Sequence, residues 1–388
     1  MTTVSGVPGR DRTLDVLRAV ATLRVVVFHA TGDVRWSWFA AMPVMFFIGG
    51  ALYAKSLDGR PGLAVFRSRM RRIMIPSWAW AALVFVTFTV AGAWGDVPWW
   101  GALGFVVPIV SPTGPPEIGG PLYWTWMHMW YIAAYVALML LGIPARRAQR
   151  RWPVGTFVVL LAPVVVSGIT RRHEIGGLTF IVVFWMAGYA YHDHRRRLPA
   201  PRVAGTVAVT AMAGAVAYAA AFTGFTTDLK ALPFLFDLAG LAAVAAAVAL
   251  RPLILRMSEV TAVDVVVTWF QRRALTVYLW HALAVGIVVN SLGRDTMPER
   301  PDVLTVGLVL PLTFVLVTLT GWIEDIAARR PPELVPGRSG ADRSGVIDLR
   351  PWVPESPVDV RDRVRDPARP GPWARPLDDR SLPDPPPG

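Results

Sequence analysis

Of the 388 residues, 54% are hydrophobic and 17% charged, and the mean hydropathy is +0.44, which excludes a soluble globule and implies a polytopic membrane protein. The 39 Lys and Arg against 27 acids, and the pI near 10.8, imply no nucleic-acid partner, because the placement of the positive charge along the chain accounts for it. Zero Cys excludes structural disulfides, thiolate metal sites and a cysteine nucleophile.

The first long apolar stretch, TLDVLRAVATLRVVVFHAT at 13–31, carries Asp15, Arg18, Arg24 and His29. Charge interrupts the run and no small-residue cleavage site follows, so it reads as a membrane span preceded by a short cytoplasmic N-terminus at 1–12, not as a cleavable signal. Ionisable groups at membrane depth are costly and read as functional by default. Arg18 and His29 are eleven residues apart, which puts them within roughly 20° of one helix face and about 16 Å apart along the axis. Thr22 and Val25 continue that stripe, and Asp15 lies one turn before Arg18, where it could pair with it. An arginine so near a helix end can also snorkel to the headgroups. Arg24, near mid-span, must find a partner, a polar cavity or water.

Apolar runs close to the length that crosses about 30 Å of hydrocarbon occur at 13–31, 36–54, 73–94, 122–143, 153–170, 176–191, 203–223, 231–250, 274–292 and 303–323. The sixth is short and the eighth contains Asp237. The expected fold is therefore an all-α bundle of about ten transmembrane helices, with WWGALGFVVPIV at 99–110 as an interfacial or re-entrant piece broken by Pro108. Short cytoplasmic loops are enriched in Lys and Arg. The loops at 55–72, 144–152, 192–202 and 251–273 hold eighteen such residues, and the alternate loops hold six. That alternation fits an even helix count with both termini cytoplasmic, which places Arg18 toward the cytoplasm and His29 toward the outside. From 329 to 388 the apolar runs stop, and fourteen Pro, eleven Arg and ten acids describe a segment that cannot bury enough apolar surface to order itself. It reads as a disordered cytoplasmic tail behind a membrane domain at 13–328.

Within the span pattern, MPVMFFIGGALYA at 42–54 carries a Gly49-Gly50 pair suited to close helix packing. FRSRMRRIMIPSW at 66–78 puts Arg67, Arg69, Arg71 and Arg72 at the cytoplasmic mouth of the third helix, more arginine than orientation needs. Guanidinium groups bind phosphates bidentately, which fits a phosphorylated cytosolic donor such as coenzyme A and fits anionic lipid headgroups equally. PLYWTWMHMWYIAAY at 121–135 brings His128, Trp130 and Tyr131 just inside the outer surface, and LTVYLWHALAV at 275–285 brings Tyr278 and His281 onto one face of the ninth helix. His281 is expected slightly to the cytoplasmic side of mid-membrane. His173, His192 and His194 fall in loops or helix ends and are expected to be solvated. No carboxylate cluster or HExxH pair joins the three intramembrane histidines, so no metal site is expected.

Arg18-x10-His29 within LDVLRAVATLRVVVFHA, then MPVMFFIGG, RRIMIP, HMWYI and TVYLWHALAV, in this order and spacing, resemble the membrane-bound acyltransferase 3 family over most of residues 10–325. The resemblance implies transfer of an acyl group, often acetyl, from cytosolic acyl-CoA to a hydroxyl of a carbohydrate or similar acceptor. It implies no bound cofactor and makes the Arg18 and His29 pair essential. Gly49 stands where the family commonly has Ser, and Arg24 where an apolar residue is expected. For such a reaction neutral imidazole is a suitable base, which makes His29 the candidate. Arg18 and Asp15 support it, the four arginines hold donor phosphates, and His128, Trp130, Tyr131, Tyr278 and His281 are accessory. With no Cys and no Ser in a nucleophile elbow, direct attack on the donor and an acyl-histidine on His29 remain the two routes. Trp99 and Trp100 in the outer loop 95–121 could border the acceptor entrance or belong to the interfacial belt. A secondary transporter of a small polar or glycolipid solute is the competing class. The expected site is the cytoplasmic membrane of a bacterium, given 37 Arg against 2 Lys and the GC-rich genome that such a bias implies.

Reporter fusions at Arg60 and Pro115 are expected to report opposite sides of the membrane. Finding both on one side would overturn the alternation.

Overall fold

The computed structural model describes residues 11–92, 94, 97–108, 123–172, 179–223, 232–293 and 303–336, and every regular element among them is helical. The first, α1 (Arg12–Thr31), starts where the Asp11 carboxylate accepts from the Thr13 amide at 3.1 Å, an N-cap of the usual kind. It stops at Gly32, whose φ of +64° supplies the left-handed C-cap. A 3-10 turn over Val34–Trp38 leads into α2 (Ala41–Leu57), followed by α3 (Gly62–Val90), α4 (Trp99–Val106), α5 (Tyr123–Trp126), α6 (Trp130–Arg151), α7 (Pro153–Thr170), α8 (Thr179–His194), α9 (Pro201–Phe222), α10 (Pro233–Ala249), α11 (Arg251–Met257), α12 (Thr261–Ser291), α13 (Val303–Thr320) and α14 (Trp322–Ala327).

Each of the ten expected runs is met by a helix. Seven helices are long and apolar enough to cross a membrane, eight if α10 and α11, bent by 63°, count as one span. Charge removes α1 from that set, since Asp15, Arg18 and Arg24 all interrupt it, and α8 is short at 16 residues. Asp237 lies buried in α10, where it accepts a 3.4 Å hydrogen bond from Thr179. Several helices run past the apolar stretch. α3 begins at Gly62, so the four arginines sit on helix and not in a loop. α12 begins thirteen residues before the expected 274. The fourth expected helix is broken at 127–129 between α5 and α6, and the interfacial piece is α4.

The core is set by α2 and α12, buried over 72% and 61% of their apolar windows, whereas α7 is buried over only 11% and presents itself to lipid. α2 lies against α8 through glycine. A Cβ on Gly50 would stand 2.1 Å from the Trp185 carbonyl oxygen, and one on Gly188 would stand 2.1 Å from that of Phe47. Backbones come this close only where side chains are absent. Gly49 has the same explanation, since Trp185 and Tyr135 would meet its Cβ at 2.8 and 2.9 Å and fill the space a serine would need.

Residues 329–336, expected as the start of an unordered tail, are held to the bundle. Arg273 and Asp325, both fully buried, pair at 2.7 Å, Arg330 reaches Asp325 at 3.1 Å, Arg272 reaches Glu333 at 3.1 Å, and the Glu333 amide donates to Asp325. Composition conceals this because the anchor is one carboxylate shared by three arginines, and a buried pair is costly to break from one side, about 3–5 kcal/mol. The remainder of the expected tail, 337–388, and the first ten residues of the chain lie outside the described residues.

Gly50→Ala and Gly188→Ala are expected to lower the detergent melting temperature sharply, because overpacking against backbone costs about 1–3 kcal/mol or more. Gly205→Ala, where the nearest atom is 3.9 Å away, is the control. Equal melting temperatures for all three would show that the α2–α8 contact is looser than described.

Candidate active site

α1 and α12 run side by side in the same direction, since their paired residues rise in number together. Polar pairs join them at three levels. Arg12 pairs with Asp264, Arg18 donates to the Gln271 side-chain oxygen at 3.2 Å, and His29 Nδ1 stands 2.8 Å from His281 Nε2. Asp15, buried, lies 3.7 Å from Arg12. The expected pairing partner for Arg18 was Asp15 on its own helix, whereas the structure supplies Gln271 across the seam. Gln271 was missed because nothing in a single helix pattern marks its register against Arg18. Arg24 finds its partner as its depth required. Its guanidinium donates through two nitrogens to the Trp36 carbonyl and lies 4.8 Å over the Phe28 ring, so it fastens the 3-10 turn to the C-terminal half of α1.

His281 meets His29 across the seam. The two rings stack at the same level, 5.1 Å apart and 18° from parallel. α12 extends well before its apolar run, from Thr261 to Ser291. His128 joins them at the break between α5 and α6, its ring 5.7 Å from His281 and 5.2 Å from Tyr278. It is buried and neither ring nitrogen has a hydrogen-bond partner. The break also exposes the His128 carbonyl, which the Tyr278 hydroxyl caps. Tyr278 packs on Tyr131 at 5.2 Å, and Tyr131 on Phe46 at 5.1 Å, beside Trp130. Trp80, which no sequence signal marked, stacks edge-on to His128 at 5.6 Å.

Between the levels of Arg18 and His29 runs a narrow pocket. α1 lines it with Thr22 and Val25, α2 with Met42 and Met45, and Tyr131, Tyr278 and His281 complete it. The Thr22 hydroxyl is buried there and has no hydrogen-bond partner. The stripe read on α1 thus faces a small buried cavity, which His281 lines from α12.

The arginine cluster divides. Arg69 donates to the Leu52 carbonyl at 3.0 Å and the Ser56 hydroxyl at 2.5 Å, which braces α3 against the last turns of α2. Arg67 and Arg72 are exposed and Arg71 is half-buried. Arg72 lies within electrostatic reach of Arg60, Arg69, Arg71 and Arg330, and like charges so gathered attract an anion. His192, expected to be solvated, is buried and bonds Asp58 at 2.6 Å. Burial pushes the Asp58 carboxyl up, but the hydrogen bonds from His192 and Arg146 outweigh it and hold the group below the usual carboxylate range. His194 is exposed, and His173 lies outside the described residues.

No curated protein and no solved structure matches the chain. A family model described as an acyltransferase domain matches residues 11–323. That match runs from the cap of α1 into α14 and contains the α1–α12 seam, and the chain therefore belongs to the acyltransferase 3 family.

Proposed function

We propose that this protein is an integral membrane O-acyltransferase that moves an acyl group, acetyl being the simplest, from cytosolic acyl-CoA to a hydroxyl of a carbohydrate, cell-envelope glycan or glycosylated metabolite. In this reading all ten runs cross the cytoplasmic membrane of a bacterium and both termini are cytoplasmic. The observation that carries it is the arrangement on α1 inside the matched acyltransferase domain, where Arg18 is held by Gln271 and His29 by His281, both of α12. Arg67, Arg71 and Arg72 would receive the donor phosphates at the cytoplasmic end, and the thioester would be brought to His29. His29 would then accept the proton of the acceptor hydroxyl as its oxygen bonds the thioester carbon. As the carbon–sulfur bond breaks, the coenzyme A thiolate leaves and recovers that proton. Arg18, held by Gln271, is placed to grip a polar part of the extended donor.

His29→Ala is expected to lose a factor of about 10²–10⁴ in turnover while expression, insertion and detergent stability stay near normal, read as acyl-CoA-dependent transfer in membrane vesicles. Near-normal turnover in that variant beside a dead His128→Ala would move the chemistry to the break before α6. Solute movement without acyl-CoA consumption would favour a transporter.

The two arginine roles separate by measurement. Arg72→Gln is expected to raise the KM for acyl-CoA about tenfold or more, since a hydrogen bond to a charged group contributes about 1.5–3 kcal/mol, with stability unchanged. Arg69→Gln is expected to lower the melting temperature, because it removes the brace between α3 and α2. An unchanged KM in the Arg72 variant would return the cluster to topology alone.

A further inference from the structure

His281 is fully buried, and both of its ring nitrogens are engaged. Nδ1 lies 3.0 Å from the Val277 carbonyl oxygen, one turn back on α12, and Nε2 lies 2.8 Å from His29 Nδ1. A carbonyl oxygen can only accept, so Nδ1 of His281 carries a proton. A neutral imidazole has one N–H, which leaves Nε2 of His281 as an acceptor. The proton in the contact between the two rings therefore belongs to His29 Nδ1, and the lone pair of His29 is on Nε2. A second proton on His281 would reverse this and turn His29 Nε2 into a donor. The pocket around His281 gives no support for that charge: Thr22, Val25, Met42, Met45, Tyr131 and Tyr278 include no carboxylate. The imidazole that closes on it from the other side is His128.

We infer that His281 is a positioning residue that fixes the tautomer of His29, so that its Nε2 is the basic atom. The inference rests on the reading of His29 as the base. The relay runs from the Val277 carbonyl through His281 to His29 and has the logic of a base oriented by a third group, with a neutral imidazole where a carboxylate often stands. When the acceptor hydroxyl gives its proton to His29 Nε2, the imidazolium keeps donating from Nδ1 to His281, and His281 changes no bond of its own. The proton on His29 Nε2 then passes to the departing thiolate, and the starting tautomer is restored.

The test compares His281→Gln with His281→Leu in the full-length protein. The glutamine side-chain oxygen falls near the position of Nε2 and can accept from His29, whereas leucine cannot. The Leu variant is expected to lose about 10²–10⁴ in kcat with the KM for acyl-CoA unchanged, and the Gln variant to recover most of that loss. A packing role predicts the opposite order, because leucine suits an apolar site better than glutamine. If the Leu variant fails to insert or to stay monodisperse, His281→Met takes its place in the same comparison. Equal or higher kcat with Leu or Met than with Gln would overturn the relay. If His29→Ala itself keeps its turnover, the base assignment falls first, whereas a dead His29→Ala beside an active His281→Leu removes the relay alone.

Discussion

A bilayer offers its interior polar groups no water, so each one must find its partner within the protein. The seam between α1 and α12 is the main consequence. Arg12, Arg18 and His29 are each answered by a residue of α12, and the two helices are held parallel and in one register by that requirement. Arg24, on another face, is answered by a backbone carbonyl beyond its own helix. The broken helix before α6 obeys the same rule, since the carbonyl it frees at His128 is taken by Tyr278.

Close packing elsewhere makes room for this seam. Gly50 and Gly188 let α2 and α8 touch backbone to backbone, which draws α2 into the core and sets Met42 and Met45 against the pocket. The aromatic shell of Phe46, Trp130, Tyr131 and Tyr278 then closes the pocket on the α6 side. After α14 a different device operates, in which Asp325 gathers Arg272, Arg273 and Arg330 and pins the chain beyond α14 to the bundle. Arg330 thereby comes near Arg72, so a residue beyond the matched domain adds to the positive charge around the start of α3.

Much of this was legible in the chain itself. Hydropathy placed a helix at each of the ten runs, and the cost of charge at membrane depth singled out Arg18, Arg24 and His29 before any contact was known. The Gly49-Gly50 pair announced a close helix contact. The errors have a common origin in how far each helix extends, because arginine-bearing ends are polar yet form helix well. The apolar run therefore understates α3 and α12. His192 and residues 329–336 were misread for a related reason, since local polarity says nothing about whether a carboxylate waits on another element.

The sequence by itself determined which segments are helical, which helices carry groups that water-free surroundings cannot leave alone, and which family the chain belongs to. Those properties follow from local composition and from spacing along one helix. Only the tertiary structure decided which partner each group takes: Gln271 for Arg18, Asp325 for Arg273, and above all His281 for His29. A pairing between residues some 250 positions apart depends on the register of two separate helices, and that register is set by the packing of the whole bundle and not by either stretch alone.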